Sequence, residues 1–193
     1  MNNMYLALVH GPIKNKRGEK VTTSVTNLDI HDIARSSRTF NMKQYFIVTP
    51  IKAQQELVGR ITSHWESDKG NEYNPDRSDA LAYIQLVDTV EDAMASIEKQ
   101  EGKKPILAVT GANFEKYDGN CAQLLEKMQV DNRPMLLLFG TGWGLHASIL
   151  ERAEYHVTPI FGSASDGYNH LSVRSAVAIY LDRLAEASES KLK

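Results

Sequence analysis

Met135-Leu-Leu-Leu-Phe139 runs directly into Gly140-Thr-Gly-Trp-Gly144-Leu145. An apolar run of this length after a proline reads as a short strand buried on both faces. The alternating glycines that follow let the chain turn sharply and leave room for a ligand against the main chain. In an open parallel sheet, ligands sit outside the carboxyl ends of the strands, and this loop falls at such an end. The spacing is G-x-G-x-G. That is neither the dinucleotide fingerprint G-x-G-x-x-G nor a P-loop, because no Gly-Lys-Ser/Thr follows. A plain glycine-rich turn has the same letters, so the rest of the chain must decide between them.

Upstream, Tyr5–Val9 and Tyr45–Val48 are further apolar runs, the first closed by His10-Gly-Pro and the second by Thr49-Pro50. Leu81–Val87 and Pro105–Thr110 read the same way. Helices are expected between them. Thr26-Asn27 offers capping oxygens ahead of a stripe made by Ile30, Ile33, Ala34 and Ser37, with Asp29, Asp32, Arg35 and Arg38 off that stripe. Leu57, Val58, Ile61 and Trp65 mark a second helix from about Ala53 to Trp65. Val90, Met94 and Ile97 mark a third, and Ala122–Met128 a short fourth. Downstream come a helical turn at Ile149–Ala153, a strand at Tyr155–Ile160, a loop over Phe161–Asn169, and a long helix opened by Ser172 whose tail after Ala187 frays. Lys14–Lys20 reads as a solvated, mobile loop, with a phosphate-contacting loop as the alternative, and Glu66–Asp79 as a long surface loop. Strand and helix alternate throughout. This predicts an α/β fold with a mostly parallel sheet and helices on both faces, as one domain over residues 1–193.

Composition narrows the classes. Apolar residues make up 42% and charged residues 24% of the chain, the profile of a soluble globular protein. The net charge of −2 confines any nucleic-acid surface to a local patch. The single cysteine, Cys121, rules out an intrachain disulfide and a cysteine-based zinc site. No apolar run approaches a membrane span, and Met1-Asn-Asn-Met lacks the basic start and apolar core of a leader. A cytoplasmic protein is expected, without a membrane partner. No G-x-S-x-G elbow supports a serine hydrolase, and the scattered histidines show no H-E-x-x-H, so no metal is expected. Arg35 is a candidate phosphate or substrate contact, because its planar fork suits anionic oxygens; ion pairing on a wet helix face explains the same residue.

Three segments, in order, carry a family resemblance. Thr26-Asn-Leu-Asp-Ile-His-Asp-Ile-Ala-Arg-Ser-Ser-Arg-Thr-Phe40 resembles the first motif of the SPOUT RNA methyltransferases. Leu136–Leu145 resembles their second motif, a strand ending in a glycine-rich loop. Pro159-Ile160 through Asn169-His-Leu-Ser-Val-Arg-Ser-Ala-Val-Ala-Ile179 resembles the third. Together they span nearly the whole chain. The resemblance is to the stand-alone bacterial members, and it implies a C-terminal trefoil knot, bound S-adenosylmethionine, an RNA substrate (tRNA or rRNA) and a homodimer.

Leu138, Phe139, Gly140, Thr141, Gly142, Gly144 and Leu145 would meet the cofactor from the second motif, and Ile160, His170, Leu171 and Ser172 from the third. Asn27, Arg35 and Arg38 would face RNA. Arg35, Asp166 and Asn169 are the catalytic candidates. Ribose-methylating members carry Leu-Asn-x-Ser-Val, whereas this chain has Tyr168-Asn169-His170-Leu171-Ser172-Val173. Base-methylating members of the tRNA guanine type use an Asp in a mobile loop, and Asp166 sits in a comparable loop. Ribose and base methylation therefore both stay open. So do a non-catalytic RNA- or nucleotide-binding protein of the same fold and a nucleotide-handling α/β enzyme of another kind. The wide stripe of Val173, Ala176, Val177, Tyr180, Leu181 and Leu184, broadened by Ala178, suits a two-fold dimer that also uses the helix over Asn27–Phe40; a helix buried within its own domain explains the same stripe.

Overall fold

Strand β1 (Met4–Val9) lies at the centre of the molecule, every residue buried. A computed structural model describes residues 3–66 and 72–189. Met1-Asn2, read above for a leader, and the end of the tail, Ser190–Lys193, lie outside the described residues. β1 pairs in parallel with β4 (Gln44–Val48) on one side and β7 (Met135–Gly140) on the other. β5 (Ile84–Val87) extends the sheet beyond β4, while β6 (Ile106–Val109) and then β8 (Tyr155–His156) extend it beyond β7. The order is β5-β4-β1-β7-β6-β8, parallel at every pairing, as the alternation of elements predicts.

Burial on both faces explains why these strands are continuously apolar and do not alternate. One face, with Leu6, Leu8, Leu137 and Phe139, packs against α1 (Asn27–Thr39), α5 (Cys121–Asp131) and α7 (Val173–Glu189). The other face, with Tyr5, Ala7, Leu136 and Leu138, packs against α4 (Val90–Glu101) and α6 (Ala147–Leu150). Helices α2 (Lys52–Glu66) and α3 (Pro75–Leu81) complete the first layer beside α1. Local chemistry sets the helix ends. Thr26 accepts from the Asp29 N–H, and Thr89 with Asp92 and Asn120 with Gln123 form capping boxes. Gly102 closes α4 at φ 69°.

Several expectations are corrected. Lys14–Lys20 is not a loose loop: β2 (Ile13–Lys14) and β3 (Lys20–Val21) form an antiparallel hairpin. The expected loop over Glu66–Asp79 contains α3, started by Asn74 as cap and Pro75 in the first turn; the stretch 67–71 lies outside the described residues. Leu81 ends that helix, so the following strand starts only at Ile84. The strand expected at Tyr155–Ile160 is formed only over Tyr155–His156; Val157 N–H still donates to the Val109 carbonyl at 2.9 Å, but its bridge is to Gly119, and Thr158 N–H turns to the Gly119 carbonyl. The turn expected at Ile149–Ala153 sits earlier, at Ala147–Leu150, where the His146 ring caps it, and α5 runs three residues past Met128 to Asp131. Asp29, expected on the wet face, is 7% exposed; its carboxylate accepts the Thr26 hydroxyl at 2.6 Å and faces Arg174 at 3.8 Å. Among the described residues no helix is long and apolar enough to cross a membrane.

Candidate functional site

Because the sheet is parallel, the carboxyl ends of β1, β7, β6 and β8 meet one edge. The order in which strands are added reverses beside β1: β4 and β5 extend the sheet on one side, whereas β7, β6 and β8 lie on the other. Such a switch point opens a crevice at that edge.

The glycine loop closes this crevice next to β1. Gly140 pairs with Val9 across the ladder. Thr141 donates its N–H to the Val9 carbonyl at 3.3 Å and its hydroxyl to the same oxygen at 3.2 Å. Gly144 N–H returns to the Thr141 carbonyl at 2.9 Å, making a tight turn with Gly142 at φ 57° and Gly144 at φ 97°. These values lie where side chains are disfavoured. A Cβ on Gly140 would sit 2.7 Å from Leu145 N and 2.9 Å from the Gly144 carbonyl carbon, so that glycine is required by close backbone approach. Among the described residues, the N–H groups of Gly142 and Trp143 have no acceptor. Leu138, Phe139 and Leu145 are core residues by their side chains, leaving only main-chain atoms to a ligand.

The second wall is the segment after β8. Asn169 donates its side-chain amide to the Ile160 carbonyl at 2.8 Å and so closes the loop over residues 161–168. Asp166 is exposed within that loop and accepts the Tyr168 N–H at 3.0 Å. Ser172 caps α7 by accepting the Ser175 N–H at 3.2 Å. His170 and Leu171 are exposed, and their N–H groups have no acceptor among the described residues. Tyr180 ties the two walls together: its ring meets Phe139 edge-on at 5.8 Å, and its hydroxyl donates to the Thr158 carbonyl at 2.9 Å. Unspent main-chain donors on both walls, with glycines where a Cβ would intrude, fit the edge of a bound purine and hence an adenosine-containing cofactor.

Three residues at this edge were not singled out from sequence. Thr110, at the end of β6, donates both N–H and hydroxyl to the Leu138 carbonyl, at 3.1 and 2.9 Å. His10, fully buried at the end of β1, lies 3.2 Å from the Thr23 hydroxyl, which lies 2.5 Å from that of Thr141. Burial pushes the His10 ring down to about 4, against the opposing charge of Asp29. The ring is therefore neutral near pH 7. A legible signal existed for Thr110 alone, where an apolar strand ends in Thr-Gly as β7 ends in Gly-Thr-Gly.

The RNA-facing candidates lie on α1. Asn27 is its exposed first residue. Arg38 pairs with Asp79 at 2.5 Å and lies over the Tyr83 ring at 5.5 Å. Asp32 does not pair with Arg35 within the helix; it faces Arg174 of α7 at 3.4 Å. Arg35 is exposed, with no carboxylate at ion-pair distance among the described residues, and its charge helps depress the His31 ring, after burial and Arg77. No group of three or more His, Cys, Asp or Glu side chains among the described residues is arranged to hold a metal ion.

A family model described as SAM-dependent RNA methyltransferase matches residues 3–186. A tRNA (guanine-N(1)-)-methyltransferase of Oleidesulfovibrio alaskensis is 43% identical over 182 residues, which cover 94% of this chain and 42% of that protein. The chain thus spans less than half the length of that relative. A protein of Aquifex aeolicus described only as uncharacterized is 37% identical over 182 residues, covering 94% of this chain and 88% of its own. Among solved structures, the SpoU methyltransferase AviRb from Streptomyces viridochromogenes, in complex with AdoMet, superimposes with a TM-score of 0.56 at 17% identity. That match covers 96% of this chain and 58% of the other, and the likeness is one of fold.

Proposed function

The chain belongs to the SAM-dependent RNA methyltransferase family, and we propose that it methylates tRNA, with the site at the carboxyl edge of β1, β7, β6 and β8. The observation that carries this reading is the pair of walls at that edge, Gly140–Leu145 and Ile160–Ser172, each with main-chain donors left unspent. The tRNA assignment is supported by the relative named for a tRNA activity. More than half of that relative lies outside the match, so the guanine-N1 position in its name is not carried over.

The cofactor, when bound, supplies an electrophilic methyl group on a sulfonium. The chain's part is to position and to accept a proton. The backbone of Gly140–Leu145, with Ile160, His170 and Leu171, holds the adenosine. Ser172 keeps the start of α7 in place. Arg35 grips the RNA beside the reacting nucleotide, with Asn27 and Arg38 as outer contacts. Asp166, exposed on the closed 161–168 loop, takes the proton that a ribose hydroxyl or a base nitrogen loses on methylation. Asn169 holds that loop shut. Positioning of this kind supplies most of the rate in a direct displacement. The reading includes a single domain, the family's trefoil knot around α7, and a two-fold dimer through α1 and α7, in which Arg35 of one protomer completes the site of its partner.

The test is labelled methyl transfer from S-adenosylmethionine into tRNA and rRNA from cells lacking this protein, followed by nucleoside mass spectrometry. Label in tRNA, in one modified nucleoside, is expected. A protein that binds the cofactor but labels neither RNA would overturn the reading.

A further inference from the structure

The hairpin β2–β3 is seated on the glycine loop. Lys14 N–H donates to the Gly144 carbonyl at 3.0 Å, and Ile13 bridges antiparallel to Leu145. His146 N–H reaches the Pro12 carbonyl at 3.4 Å. The tip is ordered by Asn15, whose side-chain oxygen accepts from Arg17 N–H at 2.8 Å and Glu19 N–H at 3.0 Å, with Gly18 at φ 80°. This turn holds Lys16 and Arg17 out into solvent.

The hairpin carries Lys14, Lys16, Arg17 and Lys20 against a single acid, Glu19, which is taken up by the Asn15 side-chain amide at 2.7 Å. None of these four cations has a carboxylate at ion-pair distance among the described residues. By contrast Arg38, Lys43, Lys52, Lys127, Arg133, Arg152 and Arg174 are all paired. In a chain of net charge −2, this is a concentrated positive patch. Beside it, at the apex of the glycine loop, Trp143 is 57% exposed. Lys14 lies over that apex, with its Cε 3.8 Å from where a Cβ on Gly144 would sit.

We propose that the β2–β3 hairpin and Trp143 form the grip for single-stranded RNA at this site: Lys16, Arg17 and Lys20 contact phosphates, and Trp143 stacks under an unpaired base next to the reacting nucleotide. Unpaired cations on flexible stems beside an exposed aromatic face are the combination that binds single strands, the cations by counterion release and the ring by stacking. The hydrogen bonds from the hairpin to Gly144 place this grip at the mouth of the cofactor walls. The inference rests on the RNA-methyltransferase reading.

The experiment compares the full chain with the double variant Lys16→Gln/Arg17→Gln and with Trp143→Ala and Trp143→Phe. Three quantities are read: melting temperature, S-adenosylmethionine affinity by calorimetry, and affinity for a single-stranded RNA oligonucleotide across a salt series. The double variant should fold and bind cofactor as wild type does. Its RNA binding should weaken roughly tenfold or more, and the salt slope should fall by about 1.4, near 0.7 for each lost single-strand phosphate contact. Trp143→Ala should weaken RNA binding roughly tenfold at unchanged salt slope, and Trp143→Phe should recover most of it. An unchanged slope in the double variant, with wild-type protein binding RNA, overturns the grip and leaves the function standing. Loss of cofactor binding in the double variant also overturns it, because the hairpin would then only shape the glycine loop. Wild-type protein that neither binds nor methylates RNA removes both readings.

Discussion

The hydroxyls of Thr23 and Thr141 lie 2.5 Å apart, although 118 residues separate them. Thr23 also touches the buried ring of His10, and Thr141 holds the carbonyl of Val9. This short chain of polar contacts joins the end of β1, the base of the hairpin and the first residue of the glycine turn.

The loop predicts a ranking of substitutions. Gly140→Ala places a Cβ against main-chain atoms that cannot move away singly, so it should destabilise most. Gly142→Val combines a φ of 57° with a Cβ 3.1 Å from the Ile13 side chain, and should abolish cofactor binding while costing about 1–2 kcal/mol in backbone strain. Gly144→Ala meets only the end of Lys14, but its φ of 97° lies outside the left-handed region that side chains tolerate, so it should destabilise through backbone strain and not through a clash. Calorimetry with S-adenosylmethionine and urea unfolding rank the three. Wild-type cofactor affinity in Gly142→Val would remove the loop from the site.

His10 gives the fold an acid sensitivity. Its ring titrates near 4 when folded and near 6.5 when unfolded, so the unfolded chain binds the extra proton between those values. Stability from this group is complete above about pH 6.5 and is lost as pH falls toward 4, by at most roughly 3 kcal/mol. His10→Asn, which keeps a polar atom near the Thr23 hydroxyl, should flatten that part of the stability profile measured by denaturant titration. A profile as steep as wild type would place the transition on other groups.

Arg35 is exposed and has no carboxylate at ion-pair distance among the described residues, so its loss should cost the fold little. Arg35→Ala is expected to leave cofactor affinity within about twofold and to cut methyl transfer by two orders of magnitude or more, roughly 3 kcal/mol in the transition state. Arg35→Lys should restore only part, because the planar fork is lost. Weakened cofactor binding in a folded Arg35→Ala protein would contradict an RNA role.

For assembly, α1 exposes Leu28 at 57%, about two helical turns before Arg35, while Arg174 of α7 pairs with Asp29 and Asp32 and joins the two helices into one surface. A dimer is expected at micromolar concentration, with Leu28→Glu shifting it to monomer and lowering activity in parallel. Sedimentation of an active protein as a 21.6 kDa species where no dimer is detectable would exclude this arrangement.

The strands and most helices could be read from the chain alone because their causes are local. Runs such as Tyr5–Val9 and Met135–Phe139 are apolar without alternation, which only a sheet covered on both faces can use, and Thr26 and Ser172 announce their helices by capping chemistry. The glycine loop was equally legible, since positive φ and close backbone approach restrict a position to glycine whatever surrounds it. Tertiary structure alone decided the rest. It seated Lys14–Lys20 on Gly144 as a hairpin, turned Asp29 inward to Arg174, and buried His10 against Thr23. These outcomes rest on partners from 13 to more than a hundred residues away, and their side chains are equally suited to water. A hydrophobic pattern records which residues leave solvent; it does not record which polar groups find one another once the sheet has brought the strand ends together.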